Sequence, residues 1–391
     1  MKKIAIIAEG FPQSSLCLAK YIAELGVHVD YYRFTGLTEN GVSFAFDYSK
    51  AGKLFLYHKR VKLEEIPELA DYFDGLPFQM HLLHHSKIYK KIPFLYSFVY
   101  KKIIKMLLKE GYDAYNLVGG ERMKVFHQYP LLPNIVHSLH EVGSHSEKKY
   151  STPLIESIIK DKSPVLFFSD STRSRFLKLE GAKSCKSAVI PFGKFETIPL
   201  YDGNLIINTG LDLKKRTFMF FGYIRPFKGL DILARAMEQL KLQSYKFNVI
   251  IAGSGDDPFL DFFKSQSNSF VLNKMISNQE LNALFKMADV ILMPYKSASQ
   301  TGIAPTAYLF GKPIIATRVG ALPDVVRHEK NGLLIEPNSV EELSDAIMRL
   351  IDDVDLLQRL SEGTKSYGLG DGYDWYTIAK DTIKFMDSIR S

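Results

Sequence analysis

The chain is poor in cysteine and in long apolar runs. Its 391 residues include only two cysteines, Cys17 and Cys185, which favours a reduced, cytoplasmic setting over a disulfide-stapled scaffold. No stretch reaches the roughly 18 consecutive apolar residues that a membrane-spanning helix needs. The apolar run after Lys2-Lys3 is interrupted at Glu9, too early for a signal peptide. These absences predict a globular protein that is soluble or bound only to a membrane surface.

The charge balance is positive, with a formal net charge of +7. Such a balance suits nucleic acid, a phosphorylated small molecule or an anionic membrane. Aromatic residues are spread through both halves and form no stacking platform, which argues against nucleic acid. Between Lys87 and Lys109 lie seven lysines and no acidic residue, interleaved with apolar residues. This pattern is typical either of an ordinary surface helix or of a helix at the inner face of an anionic membrane, and both interpretations stay open.

Strand and helix patterns alternate along both halves of the chain. Ile4–Ala8 predicts a strand, Leu16–Leu25 a helix and Val27–Tyr32 a second strand, and the same alternation resumes at Thr217. This order predicts an α/β protein with two doubly wound, Rossmann-like domains that face a cleft. The predicted segments are residues 1–195, a linker at 196–214, residues 215–370, and a C-terminal helix in 371–391 that packs back on the first domain.

A loop after the first strand of the second half combines glycines with two cations. In the segment Phe221–Asp231, the strand ends at Gly222, the loop carries Arg225 and Lys228, and a helix follows. Cations beside a helix N-terminus are well placed to bind a phosphate. The alternative is a solvated basic loop.

A second loop, Ser299–Pro305, follows another strand and also precedes a helix. Pro305 suits the first helical turn, which leaves the amides of Thr301, Gly302 and Ile303 at the positive end of a helix dipole. The alternative is that Ser299 or Thr301 simply caps the helix. Two such loops in one domain, both at strand ends, favour a diphosphate ligand.

With these motifs, the second half resembles family 4 of the retaining glycosyltransferases, which have the GT-B fold. The resemblance extends in unbroken order over most of residues 217–350. The matching segments there are Phe221–Asp231, Val249–Gly255, Leu281–Pro294, Gly311–Thr317, Val319–Val326 and Asn331–Leu334. In the first half it is weaker and rests on Leu139–Glu141, Phe168–Thr172 and Val189–Gly193.

The resemblance implies transfer of a sugar from a nucleotide-diphosphate sugar to a hydroxyl acceptor, with retention, in the assembly of a cell-surface polysaccharide or glycolipid. The first domain would be the acceptor side and the second would bind the donor, with no cofactor and no metal. Lys228 and Arg225 would act on the diphosphate, and His140 would contact the transferred sugar. The remaining implied donor-binding residues are Gly10, Gly222, Met275, Ile276, Gln300, Thr301, Gly302 and Ile303.

Three positions depart from the family pattern. Tyr223 stands where the family commonly has arginine, and Ala298 and Thr306 stand where it has glutamates. The acid that usually holds the donor ribose is therefore absent, and donor identity stays open. Two alternatives follow: a catalytically silent GT-B-fold binding subunit, or a nucleotide-sugar epimerase. A nicotinamide-dependent oxidoreductase is disfavoured because Pro258 replaces the third glycine of a dinucleotide fingerprint.

Two metal-like signals are weak. Asp353-Val354-Asp355 matches the Asp-x-Asp of metal-dependent glycosyltransferases, but it follows an amphipathic helix pattern and is typical of a solvated helix end. The histidines around His81 and His137 lack cysteine partners and metal-ligand spacing. The sequence therefore predicts no metal ligand.

Overall fold

The computed structural model describes residues 1–9, 12–35, 56–85, 93–127, 132–142, 152–201, 204–298, 301–367 and 372–390. The chain divides into two compact units, one formed by Met1–Gly193 with Gly372–Ser391 and the other by Lys194–Asp371. Each unit is an α/β structure around its own sheet, which confirms the predicted fold class.

The first unit is built on an eight-stranded sheet in the order β3-β4-β2-β1-β5-β6-β7-β8. Its strands are β1 (Lys3–Ala8), β2 (His28–Thr35), β3 (Leu56–Val61), β4 (Phe78–His85), β5 (Ala114–Val118), β6 (Ile135–Leu139), β7 (Val165–Phe167) and β8 (Ser187–Val189). Its first five helices are α1 (Pro12–Glu24), α2 (Pro67–Ala70), α3 (Pro93–Lys109), α4 (Pro153–Lys160) and α5 (Asp170–Leu177). The central strands β5 and β6 are buried throughout, as expected for parallel strands covered on both faces.

The first sheet is parallel except at one edge, where β3 pairs antiparallel with β4. Neither strand was predicted, since histidine, lysine and glutamine interrupt the apolar pattern of both. Two pairs of these polar side chains meet across the strands: His58 Nε2 and His81 Nδ1 are 3.0 Å apart, and Arg60 Nε donates to Gln79 Oε1 at 2.6 Å. Hydrogen-bonded side chains thus accompany the buried apolar residues Val61, Met80 and Leu83 at this edge.

The second unit contains a six-stranded, fully parallel sheet in the order β11-β10-β9-β12-β13-β14. Its strands are β9 (Arg216–Phe221), β10 (Phe247–Gly253), β11 (Ser269–Asn273), β12 (Val290–Met293), β13 (Ile314–Thr317) and β14 (Gly332–Ile335). Its helices are α6 (Leu230–Gln239), α7 (Leu260–Ser265), α8 (Asn278–Met287), α9 (Ile303–Leu309), α10 (Leu322–Val325), α11 (Val340–Asp352) and α12 (Val354–Lys365).

The C-terminal helix α13 (Trp375–Asp387) returns the chain to the first unit. Asp374 caps it by accepting a hydrogen bond from the amide of Thr377 at 2.8 Å. The ring of Trp375 stacks on Tyr21 of α1, with centroids 6.5 Å apart. A Cβ at Gly193 would lie 2.7 Å from the same ring, so only glycine fits there. Within the described ranges, no helix is both long and apolar enough to cross a bilayer.

Candidate functional site

Glycines bring the loops at the carboxyl ends of β9, β10 and β12 into backbone contact. A Cβ at Gly229, where φ is +76°, would lie 1.9 Å from the carbonyl oxygen of Pro294. A Cβ at Gly253, where φ is +149°, would lie 1.8 Å from the carbonyl oxygen of Gly222. Both positions therefore require glycine for their conformation and for space. The three loops form one edge of the sheet, where ligands of open α/β sheets bind.

Lys228 lies within this edge, at the end of a short 3₁₀ helix, Pro226–Lys228. Its Nζ is 3.7 Å from the centre of the Tyr295 ring. Tyr295 is fully buried, and burial raises the pKa of its phenol, so the ring stays uncharged below the lysine. An ammonium over an aromatic face is stabilised by the ring quadrupole. The buried ring thus orients the predicted diphosphate-binding cation.

Tyr295 is a site residue that the sequence reasoning missed. It lies two residues beyond the end of β12, directly after Pro294. An aromatic residue at the carboxyl end of a parallel strand, in a domain with a predicted cationic loop, is the signal that would have indicated it. Its distance along the chain from Lys228 hides the contact from any local pattern.

Arg225 and Tyr223 are exposed on either side of a buried anchor, Ile224. The amide of Ile224 donates to the carbonyl oxygen of Ser254 at 3.0 Å, which ties the loop to the end of β10. Alternation along this extended segment turns Arg225 and Tyr223 towards solvent. The structure therefore presents Arg225 as an available cation on the same loop as Lys228.

The loop before α9 packs against the end of β9, and its threonine makes a hydrogen bond within the loop. A Cβ at Gly222 would lie 3.1 Å from Cδ1 of Ile303, so the start of α9 adjoins the end of β9. The amide of Ile303 donates to Thr301 Oγ1 at 3.0 Å. The N-cap residue of α9 is Gly302, which makes no side-chain cap bond, and binding of a phosphate by the amides of Thr301, Gly302 and Ile303 stays a prediction. Gly302 is packed against Phe195, whose ring would lie 2.8 Å from a Cβ there.

Ala298 and Thr306 stand where the family has glutamates, and each contacts neighbouring backbone. Ala298 is buried, and its carbonyl oxygen would lie 1.7 Å from a Cβ at Gly320. The hydroxyl of Thr306 donates to the carbonyl oxygen of Gly302 at 2.9 Å. Neither side chain offers a carboxylate to a ribose.

Met275 and Ile276 follow β11, beside the end of β10. The side-chain amide of Asn273 brackets Gly255, accepting from its N–H at 3.2 Å and donating to its carbonyl oxygen at 3.0 Å. Ile276 is buried, whereas Met275 is 40% exposed. The loop thus presents an exposed apolar side chain, which suits contact with a flat base.

His140 belongs to the first unit and lies just beyond β6. Its ring is 4.3 Å from that of Phe168 and 5.4 Å from that of Phe192, measured between centroids. Burial lowers the pKa of His140 well below its usual value. The imidazole is therefore neutral near pH 7. Gly10 and Gln300, the other two predicted site residues, lie outside the described residues.

The sequence signals that resembled metal sites have local structural roles. Asp353 caps α12, with its carboxylate accepting from the amide of Leu356 at 2.8 Å. His137 and His127 are paired at 2.9 Å between their Nε2 atoms, and His127 also contacts Asp161. His81 lies in a different cluster with His58.

The match to a known protein family falls within the second unit. Residues 204–367 match the family model described as "Glycosyl transferases group 1". The second unit is a group 1 glycosyltransferase domain. This group is broader than family 4, so membership of family 4 stays a prediction.

Curated relatives of the group 1 glycosyltransferase domain include two named enzymes. D-inositol 3-phosphate glycosyltransferase of Corynebacterium aurimucosum is 28% identical over 44% of this chain and 42% of its own length. The GDP-mannose-dependent alpha-(1-6)-phosphatidylinositol monomannoside mannosyltransferase of Mycobacterium tuberculosis is 24% identical over 63% of this chain and 67% of its own. For four of the curated relatives, the chain spans only 37–45% of their length.

Solved structures match over nearly the whole chain. HepE from Anabaena, in complex with UDP and glucose, superposes with a TM-score of 0.66 at 17% identity and covers 99% of this chain and 100% of its own. This likeness concerns the fold alone, and it confirms the predicted GT-B fold.

Proposed function

We propose that this protein transfers a sugar from a nucleotide-diphosphate sugar to a hydroxyl acceptor. The observation that carries the proposal is the Lys228 ammonium held 3.7 Å over the buried Tyr295 ring, beside the Gly222 and Ile303 contact. Further support comes from HepE, which was solved with UDP and glucose, and from the mycobacterial relative, which is GDP-mannose-dependent by name.

The proposed chemistry follows from where charge develops. When the bond between the anomeric carbon and the diphosphate oxygen breaks, its electron pair leaves with the diphosphate and the sugar becomes oxocarbenium-like. Lys228 and Arg225 supply positive charge at the leaving group, the kind of pre-oriented electrostatic stabilisation that often dominates catalysis. The neutral His140 would contact the sugar as a hydrogen-bonding group. Retention of anomeric configuration rests on the resemblance to family 4.

A screen of nucleotide sugars tests this proposal. Thermal shifts would be measured with UDP-, GDP-, ADP- and TDP-sugars, with NAD as a control, followed by assay of nucleoside diphosphate release. Stabilisation by one nucleotide sugar together with turnover is the expected result. Stabilisation by NAD alone would overturn the proposal.

A silent binding subunit is the second candidate, favoured by the buried Ala298 and the backbone-bonded Thr306. Both positions lack the carboxylate that the family uses to hold the donor ribose. This candidate predicts stabilisation by a nucleotide sugar without release of nucleoside diphosphate under any acceptor condition. The same screen therefore separates the two functions.

Chelation of divalent metals is expected to leave turnover nearly unchanged. Two cations, Lys228 and Arg225, already face the proposed diphosphate, so no metal is needed to neutralise the leaving group. Initial rates would be measured with and without EDTA, and after readdition of Mg²⁺ or Mn²⁺. Strict dependence on either metal would contradict the cationic mechanism.

The acceptor is proposed to be a glycan or a lipid-linked glycan presented at the inner membrane face. In α3, Ile103, Ile104 and Leu107 are buried. The exposed face combines two apolar side chains with lysines: Phe98, Lys101, Lys102, Lys105, Leu108 and Lys109. Their spacing of three and four residues places them on one helix face, which suits an interfacial helix on anionic lipid. The remaining lysines of the 87–109 stretch lie outside the described residues.

Charge reversal on this face is expected to abolish binding to anionic vesicles. Each lysine near an anionic surface contributes about 1 kcal/mol before screening, so Lys101→Glu, Lys102→Glu and Lys105→Glu together should release the protein. Co-sedimentation would be measured at low salt and near 0.5 M salt, where screening acts within about 4–5 Å. The control changes Lys178, Lys183 and Lys214, which are exposed elsewhere, to glutamate. A wild-type protein that ignores anionic vesicles at low salt would favour a soluble acceptor.

A further inference from the structure

A second polar cleft lies at the amino-terminal edge of the second sheet, at the opposite strand ends from the Lys228 loop. Arg216 is the first residue of β9, Asp289 directly precedes β12, and Lys312 lies two residues before β13. Together with the first two turns of α12, they line an open cleft of about 270 Å³. This volume is near the lower end of the ~300–1,000 Å³ range of ligand pockets. The cleft therefore suits a small metabolite.

The charges in this cleft favour an anion. Two cations, Arg216 and Lys312, face one carboxylate. The carboxylate of Asp289 already has two partners. It accepts a hydrogen bond from the amide of Thr217 at 2.8 Å, and it lies 3.7 Å from Arg216 Nη1. It acts on Lys312 through its charge alone, and burial lowers the pKa of Lys312. A half-buried ammonium with no hydrogen bond to that carboxylate gains most from a bound anion.

The rest of the lining is divided between hydrogen-bonding and apolar groups. Gln358 and Ser361 of α12 add an amide and a hydroxyl to the rim. Val354, which is 56% exposed, and Leu357 form an apolar wall. An exposed valine beside two cations suits a ligand that carries an organic group as well as an anion.

We propose that this cleft binds a small phosphomonoester, with the phosphoryl group at Lys312 and Arg216 and the organic part against Val354 and Leu357. The Lys312 ammonium would donate hydrogen bonds to the phosphoryl oxygens. The Arg216 guanidinium has several N–H donors, so it would bind the phosphoryl group and keep its ion pair with Asp289. This site is separate from the donor diphosphate site, because the two sets of residues lie at opposite ends of the same strands.

Calorimetric titration with phenyl phosphate and with inorganic phosphate tests the proposal. Wild-type protein is expected to bind phenyl phosphate with a dissociation constant of about 1 mM or tighter, and inorganic phosphate more weakly because it lacks the apolar part. Lys312→Met keeps the side-chain length and should weaken phenyl phosphate binding at least tenfold. Gln358→Glu, at an exposed position, adds a carboxylate to the cleft and should weaken it as well.

Two control variants make the outcome specific. Lys264→Met removes an exposed lysine that pairs with Asp261 on α7, and it should bind as wild type does. Lys228→Ala should lose nucleoside diphosphate binding and keep phenyl phosphate binding. No binding to the wild type, unchanged binding in both cleft variants, or loss of phenyl phosphate binding in Lys228→Ala would each overturn the proposal. Equal affinity for the two probes would show a general phosphate site instead of a phosphomonoester site.

Discussion

Replacement of Lys228 by alanine is expected to abolish sugar transfer while the protein stays folded. Lys228 is half-buried, and its ammonium lies over the ring of Tyr295 at the edge where the loops of β9 and β12 meet. Loss of one oriented hydrogen-bond donor beside a developing negative charge lowers the turnover rate by a factor of about 10²–10³. The fold should survive, because the loop remains anchored by Ile224 and Gly229. Turnover and nucleoside diphosphate affinity would be measured together with the unfolding midpoint.

Two variants serve as controls for this result. Lys264→Ala removes a lysine of the same unit that lies away from the loops, and its turnover should equal that of the wild type. Lys228→Arg keeps the charge and should retain more activity than Lys228→Ala, although its planar group differs in geometry. Turnover of Lys228→Ala within about twofold of the wild type would remove this lysine from the proposed mechanism.

Gly229→Ala is expected to destabilise the second unit strongly and to weaken nucleotide binding. At Gly229 φ is +76°, and a Cβ would lie 1.9 Å from the carbonyl oxygen of Pro294. The backbone at Gly229 and at Pro294 cannot move apart without displacing the strand ends to which they are joined. The energetic cost of this displacement adds to the cost of the unfavourable φ. We expect a loss of about 3 kcal/mol or more in the free energy of unfolding. Because Gly229 directly follows Lys228, nucleoside diphosphate affinity should fall as well.

Gly210→Ala separates the two contributions at Gly229. Gly210 has a similar φ of +70°, but no atom lies within 4 Å of the position that a Cβ would take. Its replacement should therefore cost only about 1 kcal/mol, the effect of the backbone conformation alone. Chemical denaturation of both variants gives the comparison. An equal loss in the two would mean that the close approach to Pro294 contributes nothing to stability.

The alternation of apolar strands and amphipathic helices was enough to predict two α/β units. Ile4–Ala8 of β1 and the strand β12 are uninterrupted apolar runs because both faces are buried, and such runs can be recognised without tertiary information. The loop with Gly222, Arg225 and Lys228 was also predictable. Its glycines and cations occur together within a few residues, between a strand and a helix.

The edge of the first sheet required the tertiary structure. The strands β3 and β4 carry polar side chains that are poor strand signals by themselves. Their partners, such as His58 for His81 at 3.0 Å, come from different strands. A local pattern cannot show that a buried polar group is satisfied by a distant one.

The amino-acid pattern was sufficient to locate the cationic loop, because its glycines, Arg225 and Lys228 lie close together along the chain. The contacts of these residues, and the requirement for glycine at Gly229 and Gly253, are visible only in the folded unit. The fold placed Lys228 over Tyr295 and the amide of Ile303 within hydrogen-bonding distance of Thr301 Oγ1. It also brought Arg216, Asp289 and Lys312 to one cleft. Each of these contacts depends on where strands and helices end in space, which is set by packing of the whole unit.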